Sequence, residues 1–321
     1  MKNEQADNRL TAYKRKRKIT KATTSIFRYA FLLAIAYIIL TQIFYLISYA
    51  FRTPEDVYDA SVVWLPKHFT LSNIGIAWKV MNYPKTFFTT VSILILSGLF
   101  EIVSCAIPAY GLARFKFKGK TVMIAVVMIM ILLPPQMTAV SMSLNYAHFD
   151  VFNILKGISK IFGRDIRPNL LDTGFVFWLP SLLGVGLRSG LFIFIYMQFF
   201  KSLPKELEEA AQIDGANALQ TFIRVVMPSS GVAFLTVGIF SMVWHWNEYN
   251  QSILYFTDRY PMSVILNQLK TSMGVYTRHG LTSSPAYDMA ACLLYVLPLL
   301  IMYVILQRKF ISSIDRVGIV G

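Results

Sequence analysis

Apolar residues dominate six long stretches of the chain, and short polar segments separate them. The stretches cover residues 27–51, 87–110, 122–144, 174–200, 229–253 and 287–307. Each is near or above the roughly 20 residues that a helix needs to cross the hydrocarbon core of a bilayer. The apolar/polar alternation typical of a membrane β-barrel strand is absent. The pattern therefore predicts an all-α integral membrane protein with six transmembrane helices.

Composition agrees with a membrane protein rather than a soluble one. Of the 321 residues, 55% are apolar and only 15% are charged, and the mean hydropathy is +0.51. A soluble domain usually has about 25% charged residues. The net charge of +14 could indicate nucleic-acid binding. The basic residues lie in short segments beside the apolar stretches, however, where they orient helices in the bilayer.

The same basic residues predict which side of the membrane each loop faces. The four segments on the side of the termini carry 18 Lys and Arg, and the three on the other side carry 11. The first set is 1–26, 111–120, 201–228 and 308–321, and the second set is 52–86, 141–173 and 254–286. This bias favours cytoplasmic N- and C-termini. Residues 1–26 then form a basic cytoplasmic tail rather than a cleaved signal peptide, residues 87–307 hold five of the spans, and 308–321 form the C-terminal tail.

The segment 201–228, between the fourth and fifth stretches, is polar and partly acidic, and it predicts two short helices on the cytoplasmic surface. Pro204 suits the first turn of a helix, and a run of glutamates follows at the positive end of the helix dipole. Gly215 can adopt the left-handed conformation that ends a helix. A second helix is predicted to begin near Ala216 and to end at Pro228, just before the fifth span.

This segment resembles the EAA loop of binding-protein-dependent ABC importer permeases. The matching residues are Glu209, Ala210, Ala211, Asp214, Gly215, Ala216, Phe222 and Pro228. Two further segments, 109–120 and 246–249, resemble motifs of the carbohydrate permeases in that family. The resemblance covers roughly residues 87–310 and is greatest to the second membrane subunit of maltose-type or multiple-sugar-type importers. We call residues 201–228 the coupling segment.

The resemblance implies the type I importer permease fold and a transport function without catalysis by this chain. Such a permease, located in the bacterial cell membrane, forms half of a translocation pathway with a second homologous permease subunit. An extracytoplasmic solute-binding protein delivers the solute, and two cytoplasmic ATPase subunits bind ATP and Mg and hydrolyse the nucleotide. The chain itself is expected to hold no cofactor or metal. Its Gly119-Lys120-Thr121 sequence lacks the first glycine of a Walker A motif, because Arg114 stands there.

The resemblance also implies roles within the coupling segment. Its two helices are expected to dock in a cleft on the ATPase and to transmit the closure of that subunit to the membrane spans. Glu209 and Asp214 would orient the loop or meet polar groups of the ATPase. Gly215 would set the angle between the two helices.

Ionisable residues inside predicted spans are candidates for function. Glu101 and Arg188 each lie 14 residues from the outer start of their span, so an ion pair between them at matched depth is one prediction. Arg188 lining a polar solute path is a second, and a snorkelling side chain or a contact with the partner subunit is a third.

Trp244, Trp246, Asn247 and Glu248 cluster at the outer end of the fifth span. They fit either an interfacial aromatic belt or a sugar-facing surface. Two alternatives for the whole protein stay open beside the sugar permease. One is an importer permease for a different solute. The other is an ion-driven secondary transporter, which would show an inverted repeat and broken helices.

Overall fold

The computed structural model describes residues 2–150, 154–271, 280–282 and 284–317, and this part of the chain is almost entirely α-helical. The predicted all-α class is confirmed, and the only β pairing among these residues is one isolated bridge between Arg52 and Phe69. Met1 and residues 318–321 of the predicted C-terminal tail lie outside the described residues. The helices are α1 (Lys2–Ala50), α2 (Pro54–Tyr58), α3 (Ser72–Val80), α4 (Tyr83–Arg114), α5 (Lys120–Leu132), α6 (Pro135–Ala147), α7 (Ile154–Phe162), α8 (Phe175–Leu182), α9 (Ser189–Ser202), α10 (Glu206–Ile213), α11 (Ala218–Thr221), a π-helix (Phe222–Val226), α12 (Met227–Ser229), α13 (Gly231–Asn247), α14 (Ser252–Tyr255), α15 (Met262–Thr271) and α16 (Pro285–Val317).

Three helices in the described part of the chain are long and apolar enough to cross a membrane. They are Thr20–Ala50 of α1, all of α4, and Pro285–Ile305 of α16. Two bent pairs also qualify: α5 with α6, at 94°, and Ala218–Ser229 with α13, at 78°. The predicted fourth span, 174–200, consists of the shorter helices α8 and α9. Length and composition thus support three to five spans, and six spans stay a prediction.

The first helix is longer than its predicted span. No Pro or Gly interrupts Lys2–Ala50, so nothing in the sequence breaks the backbone hydrogen bonds at the expected boundary between residues 26 and 27. The structure therefore joins the basic N-terminal segment and the first predicted span in one continuous helix.

The bend between α5 and α6 follows from two consecutive prolines. A proline disfavours the helical conformation of the residue before it, and Leu133 and Pro134 have extended ψ values of 117° and 133°. Pro135 occupies the beginning of α6, where its missing N–H costs no hydrogen bond.

A second break, at residues 183–188, separates α8 from α9. Gly184 and Arg188 both have left-handed backbone there, with φ of +70° and +62°. Glycine adopts this conformation readily, whereas a side chain makes it costly. The hydroxyl of Ser104 on α4 donates a 2.6 Å hydrogen bond to the Ser181 carbonyl, so α4 holds the end of α8 directly.

The contacts divide the chain into two units. The first comprises residues up to Gly75 and Ser284–Leu293, and the second comprises Ile76–Ser283 and the residues from Leu294 onward.

In the first unit, a buried arginine organises the chain that follows α1. Arg52 is 1% exposed and donates to the carbonyl of Val63 at 2.7 Å, and its guanidinium lies 3.9 Å from the ring centroid of Tyr49. Asn73 donates to the Arg52 carbonyl at 2.8 Å. Among the described residues no carboxylate pairs with this guanidinium, so the Val63 carbonyl and the Tyr49 ring stabilise its charge, while the Asn73 bond helps to hold segment 52–73 together.

In the second unit, α4 packs against α8, α9 and α13. Small residues such as Ala106 and Ala233 are fully buried and allow these helices to approach closely. The core also includes two residues of the coupling segment. Its buried members are Cys105, Ala106, Ala109, Tyr110, Leu112, Val127, Phe192, Ile193, Tyr196, Met197, Phe200, Phe222, Val226, Ala233 and Val237.

Two loops of the second unit are joined by Asp172. Its carboxylate accepts hydrogen bonds from the hydroxyl of Thr257 and, at 2.9 Å, from the backbone N–H of Asp258. Burial by itself favours the protonated acid, but these hydrogen bonds outweigh it and hold the pKa of Asp172 below its ordinary value. Loop 141–173 is therefore fastened to the chain after α14, which the sequence did not predict.

Candidate functional site

The coupling segment forms two short helices joined by a tight turn. The first, α10, begins at Glu206 rather than at Pro204, which precedes its N-cap. Gly215 has a φ of +83° and ends the turn after α10, as predicted. The second helix begins at Ala218 instead of Ala216, because Asn217 and Gln220 form a capping box with reciprocal bonds of 2.9 and 3.0 Å.

A buried ion pair fastens α10 to the end of α4. Glu208 Oε1 lies 2.6 Å from Arg114 Nε, and both side chains are about nine-tenths buried. Tyr110 donates to the other carboxylate oxygen at 3.2 Å, and Arg114 also donates to the Leu203 carbonyl at 2.8 Å. This link could not be predicted from the sequence, since residues 94 positions apart give no pairing signal.

The motif residues divide into an exposed and a buried set. Glu209, Ala210, Asp214, Gly215 and Pro228 are exposed, and Ala211 and Ala216 are partly buried. Phe222 points the other way. Its ring lies 4.9 Å from Tyr110 and 6.1 Å from Phe200, centroid to centroid, and it is 7% exposed. One part of the motif thus faces outward and another part anchors the segment in the core.

Apolar side chains accompany the exposed motif residues. Ile213 is 86% exposed and Leu219 is 65% exposed, with Leu207 and Ile223 also exposed. Clustered exposed apolar residues on a helical surface commonly mark a protein-interaction site. Ile213 and Leu219 flank the turn at Asp214-Gly215 in the sequence.

The intramembrane carboxylate Glu101 is fully buried in α4. It accepts hydrogen bonds from Ser241 at 2.6 Å and Ser181 at 3.3 Å, and His245 Nδ1 lies 3.8 Å away. His245 Nδ1 is 2.9 Å from the Ser241 carbonyl. That oxygen can only accept, so Nδ1 carries a hydrogen.

The predicted ion pair between Glu101 and Arg188 is not formed. The break between α8 and α9 turns Arg188 toward Trp244, with the guanidinium 5.7 Å from the ring centroid. Equal depth along two helices did not bring the side chains together, because the fourth stretch is not one straight helix. The charge-pair prediction assumed that it was.

Gly186 lets the break approach Glu101. A Cβ atom at this position would lie 2.6 Å from Ser181 Oγ and 2.8 Å from Glu101 Oε1, both too close for contact. The polar cluster of Glu101, Ser181, Ser241 and His245 therefore requires glycine here.

The two tryptophans at the end of the fifth span have different surroundings. Trp246 is 3% exposed and packs against Phe87 and Tyr295, so it belongs to the packed interior and not to an aromatic belt. Trp244 is partly buried beside Arg188 and Phe192. Asn247 is exposed; its Oδ1 accepts from Tyr295 at 3.1 Å. Glu248 is partly buried and caps Gln251 N–H at 2.7 Å.

A cavity of about 660 Å³ lies between the two helix breaks of the second unit. The α5–α6 bend forms one wall and the α8–α9 break forms another. Most of its lining is apolar, with polar groups from Asn145, Arg188 and Gln251 among others. Of the predicted intramembrane residues, only Arg188 lines this cavity, and Glu101 lies outside it.

Ser181, Ser241, His245 and Glu208 are the site residues that sequence reasoning missed. Ser241 and His245 did carry a signal, since polar residues four apart on an apolar helix share one face. Ser181 and Glu208 carried none, because their partners come from distant helices.

Comparison with known protein families finds one that covers most of the chain. Residues 102–316 match the family described as "Binding-protein-dependent transport system inner membrane component". This region includes the coupling segment and the cavity. The resemblance inferred from the coupling segment is thereby confirmed.

Two relatives are similar to this chain over most of its length. The chain is 26% identical to the polygalacturonan/rhamnogalacturonan transport system permease protein YtcP of Bacillus subtilis, over 88% of this chain and 93% of the relative. It is 27% identical to the diacetylchitobiose uptake system permease protein NgcG of Streptomyces coelicolor, over 90% and 86%.

A solved structure shares the fold. The chain superimposes with a TM-score of 0.69 on a chain from a bacterial ABC transporter involved in the import of the acidic polysaccharide alginate. The match covers 91% of this chain and 98% of that one, at 19% sequence identity.

Proposed function

This chain belongs to the family of binding-protein-dependent transport system inner membrane components, and from that premise we propose that it imports a sugar or oligosaccharide as half of a translocation pathway. Two relatives named for carbohydrate transport support this solute class. The partners we propose are a second homologous permease subunit, two ATPase subunits that bind ATP and Mg, and an extracytoplasmic solute-binding protein. The chain itself contributes no catalysis.

The observation that carries the proposal is the construction of the coupling segment. Its exposed face presents Ala210, Asp214 and Gly215 together with the apolar side chains of Ile213 and Leu219. A close-packing alanine within an apolar surface suits a cleft on another protein. The ATPase is the partner we propose for this surface.

The opposite face of the segment explains how movement reaches the membrane helices. The Arg114–Glu208 ion pair links α10 to α4, and Phe222 packs between Tyr110 and Phe200 on α4 and α9. A displacement of α10 would therefore move both helices as a packed body rather than bend a loose loop. Packed interiors transmit such displacements because they resist compression.

Substitution of the exposed face tests the docking proposal. Ala210→Asp adds a charge to the surface, and Gly215→Asp adds a charge and also places a side chain at a φ of +83°, so we expect membrane insertion at the normal level with at least a tenfold loss of co-purified ATPase and of uptake. Gly75→Asp is the matched control, because a side chain there meets nothing within 4 Å and the residue lies in the first unit. Normal ATPase recovery and uptake with both coupling variants would refute the docking surface.

A further inference from the structure

We propose that the cavity between the two helix breaks binds an acidic saccharide, and that Arg188 contacts its carboxylate. This inference rests on the proposed import function and names the chemical class of the solute. A volume of about 660 Å³ lies within the range of small-ligand sites in proteins.

Arg188 is the basic residue of that wall, and its charge is not neutralised by contact. Its side chain is exposed, and no salt bridge within 4.0 Å involves it among the described residues. Its guanidinium carbon lies 5.7 Å from the ring centroid of Trp244. A cation inside a predicted span is costly unless water or a ligand meets it.

The backbone at Arg188 strengthens this inference. Its φ of +62° is the left-handed conformation that glycine adopts at least cost. The same short break uses glycine at position 184, where φ is +70°. Arginine therefore occupies a position that glycine would suit better, and strained residues of this kind cluster at ligand sites.

The neighbouring helix end also favours an anion. Arg188 occupies the N-cap position of α9 without a side-chain capping bond, and Ser189, Gly190 and Leu191 of the first turn line the cavity. Gly190 sets this wall, because a Cβ atom there would lie 2.7 Å from Met130 Cβ on α5. The positive end of the α9 dipole adds to the charge of Arg188.

The two carboxylates nearby are already engaged. Asp150 also lines the cavity, but its two oxygens accept N–H groups of Leu155 and Lys156 at the start of α7, at 2.9 and 2.8 Å. Glu248 is near enough to interact with the charge of Arg188, and its Oε1 accepts from Gln251 N–H at 2.7 Å. Neither side chain forms an ion pair with Arg188.

A uronate-type sugar matches these groups. A guanidinium binds a carboxylate through two parallel hydrogen bonds. Asn145 and Gln251 in the wall can bond sugar hydroxyls, and the indole of Trp244 stands next to the guanidinium. A neutral saccharide would use the hydroxyl-bonding groups but would leave the arginine charge without a partner.

Transport by the complete importer tests the inference. The complex, with its second permease, ATPases and binding protein, is reconstituted in liposomes and supplied with trigalacturonate or with maltotriose. We expect the wild-type importer to prefer trigalacturonate. Arg188→Gln should reduce trigalacturonate uptake at least tenfold without changing co-purification of the ATPase, and Arg188→Lys should retain part of the uptake. Arg164→Gln, which removes an exposed loop arginine, is the matched control and should change nothing.

The possible results separate the inference from the proposed function. The acidic-saccharide assignment is overturned, and the importer function still stands, if the wild-type complex takes up maltotriose but not trigalacturonate in a nucleotide-dependent way. The same holds if Arg188→Gln and Arg188→Lys each lose the uptake of the two saccharides to the same extent. Unchanged trigalacturonate uptake in Arg188→Gln also overturns it. Nucleotide-driven uptake of neither saccharide by the wild-type complex contradicts the proposed sugar importer as well as the inference built on it.

Discussion

Two glutamates show how surroundings decide what a residue does. Glu208 is paired with Arg114 at 2.6 Å, at the junction of the coupling segment and α4. Glu101 is even more deeply buried, and among the described residues its carboxylate has hydroxyl groups and one histidine around it but no arginine or lysine. Glu101 could be recognised from the sequence because it interrupts an apolar stretch. Glu208 could not, because it is one of several glutamates in a polar helix.

Breaking the Arg114–Glu208 ion pair should destabilise the protein. Glu208→Ala leaves the buried Arg114 guanidinium without its partner, so we expect a loss of roughly 3–5 kcal/mol in the free energy of unfolding. Thermal or denaturant unfolding of the detergent-solubilised chain measures it. Glu206→Ala is the matched control on the same helix, because Glu206 is exposed.

A double-substitution cycle then isolates the pair. Removal of Arg114 and Glu208 together should cost less than the two single changes added, since neither charge is left unpaired. Strict additivity, or equal effects of Glu206→Ala and Glu208→Ala, would show that the pair does not hold the segment.

At the scale of secondary-structure elements, the breaks between helices determine where the cavity and the polar cluster around Glu101 form. Pro134 and Pro135 are sufficient to explain the α5–α6 bend, and Gly215 predicted the turn of the coupling segment. The break between α8 and α9 was only partly visible in the sequence. Its glycines permit left-handed backbone, but the contact with α4 decides where the break occurs.

The absence of a side chain at Gly186 allows the α8–α9 break to lie against α4. Gly186→Ala places a methyl group against Ser181 and Glu101, and the shift needed to relieve it should cost about 1–3 kcal/mol of unfolding free energy. Gly157→Ala in α7 is the matched control, since nothing lies within 4 Å of its Cβ position. Helix propensity should make that change neutral or stabilising by up to about 1 kcal/mol. Unfolding of both variants in detergent checks this, and a neutral Gly186→Ala would mean that the break can move away from α4.

At the scale of the whole molecule, the distribution of charge predicts the orientation in the membrane. The bias of Lys and Arg predicts cytoplasmic termini and a cytoplasmic coupling segment. The proposed ATPase contact requires the same orientation. Loop 141–173, with α7, is then extracytoplasmic.

Labelling of single cysteines tests this orientation. In a chain with Cys105→Ala and Cys292→Ala, a membrane-impermeant maleimide should label Lys160→Cys in intact cells. It should label Gln212→Cys only after permeabilisation, because residue 212 is exposed and the charge bias predicts that the coupling segment is cytoplasmic. Labelling of Gln212→Cys in intact cells would place the coupling segment outside and remove the basis of the proposed function.

The sequence by itself determined the class of protein, the positions of the apolar stretches and the family. Length and hydropathy decide whether a segment can enter a bilayer, and the coupling motif is contiguous along the chain. A local rule also predicted the turn at Gly215. Helix starts were less certain, as the capping box at Asn217 and Gln220 showed.

Only the tertiary structure decided which distant groups meet. It placed Glu208 beside Arg114 and Glu101 between Ser181 and Ser241. It also placed Arg188 in the wall of the cavity. Such pairings depend on the rotation, bend and separation of packed helices, which periodicity along one helix does not specify. The physical reason is that a side chain's direction changes by about 100° with each residue of a helix, so one break redirects every group beyond it.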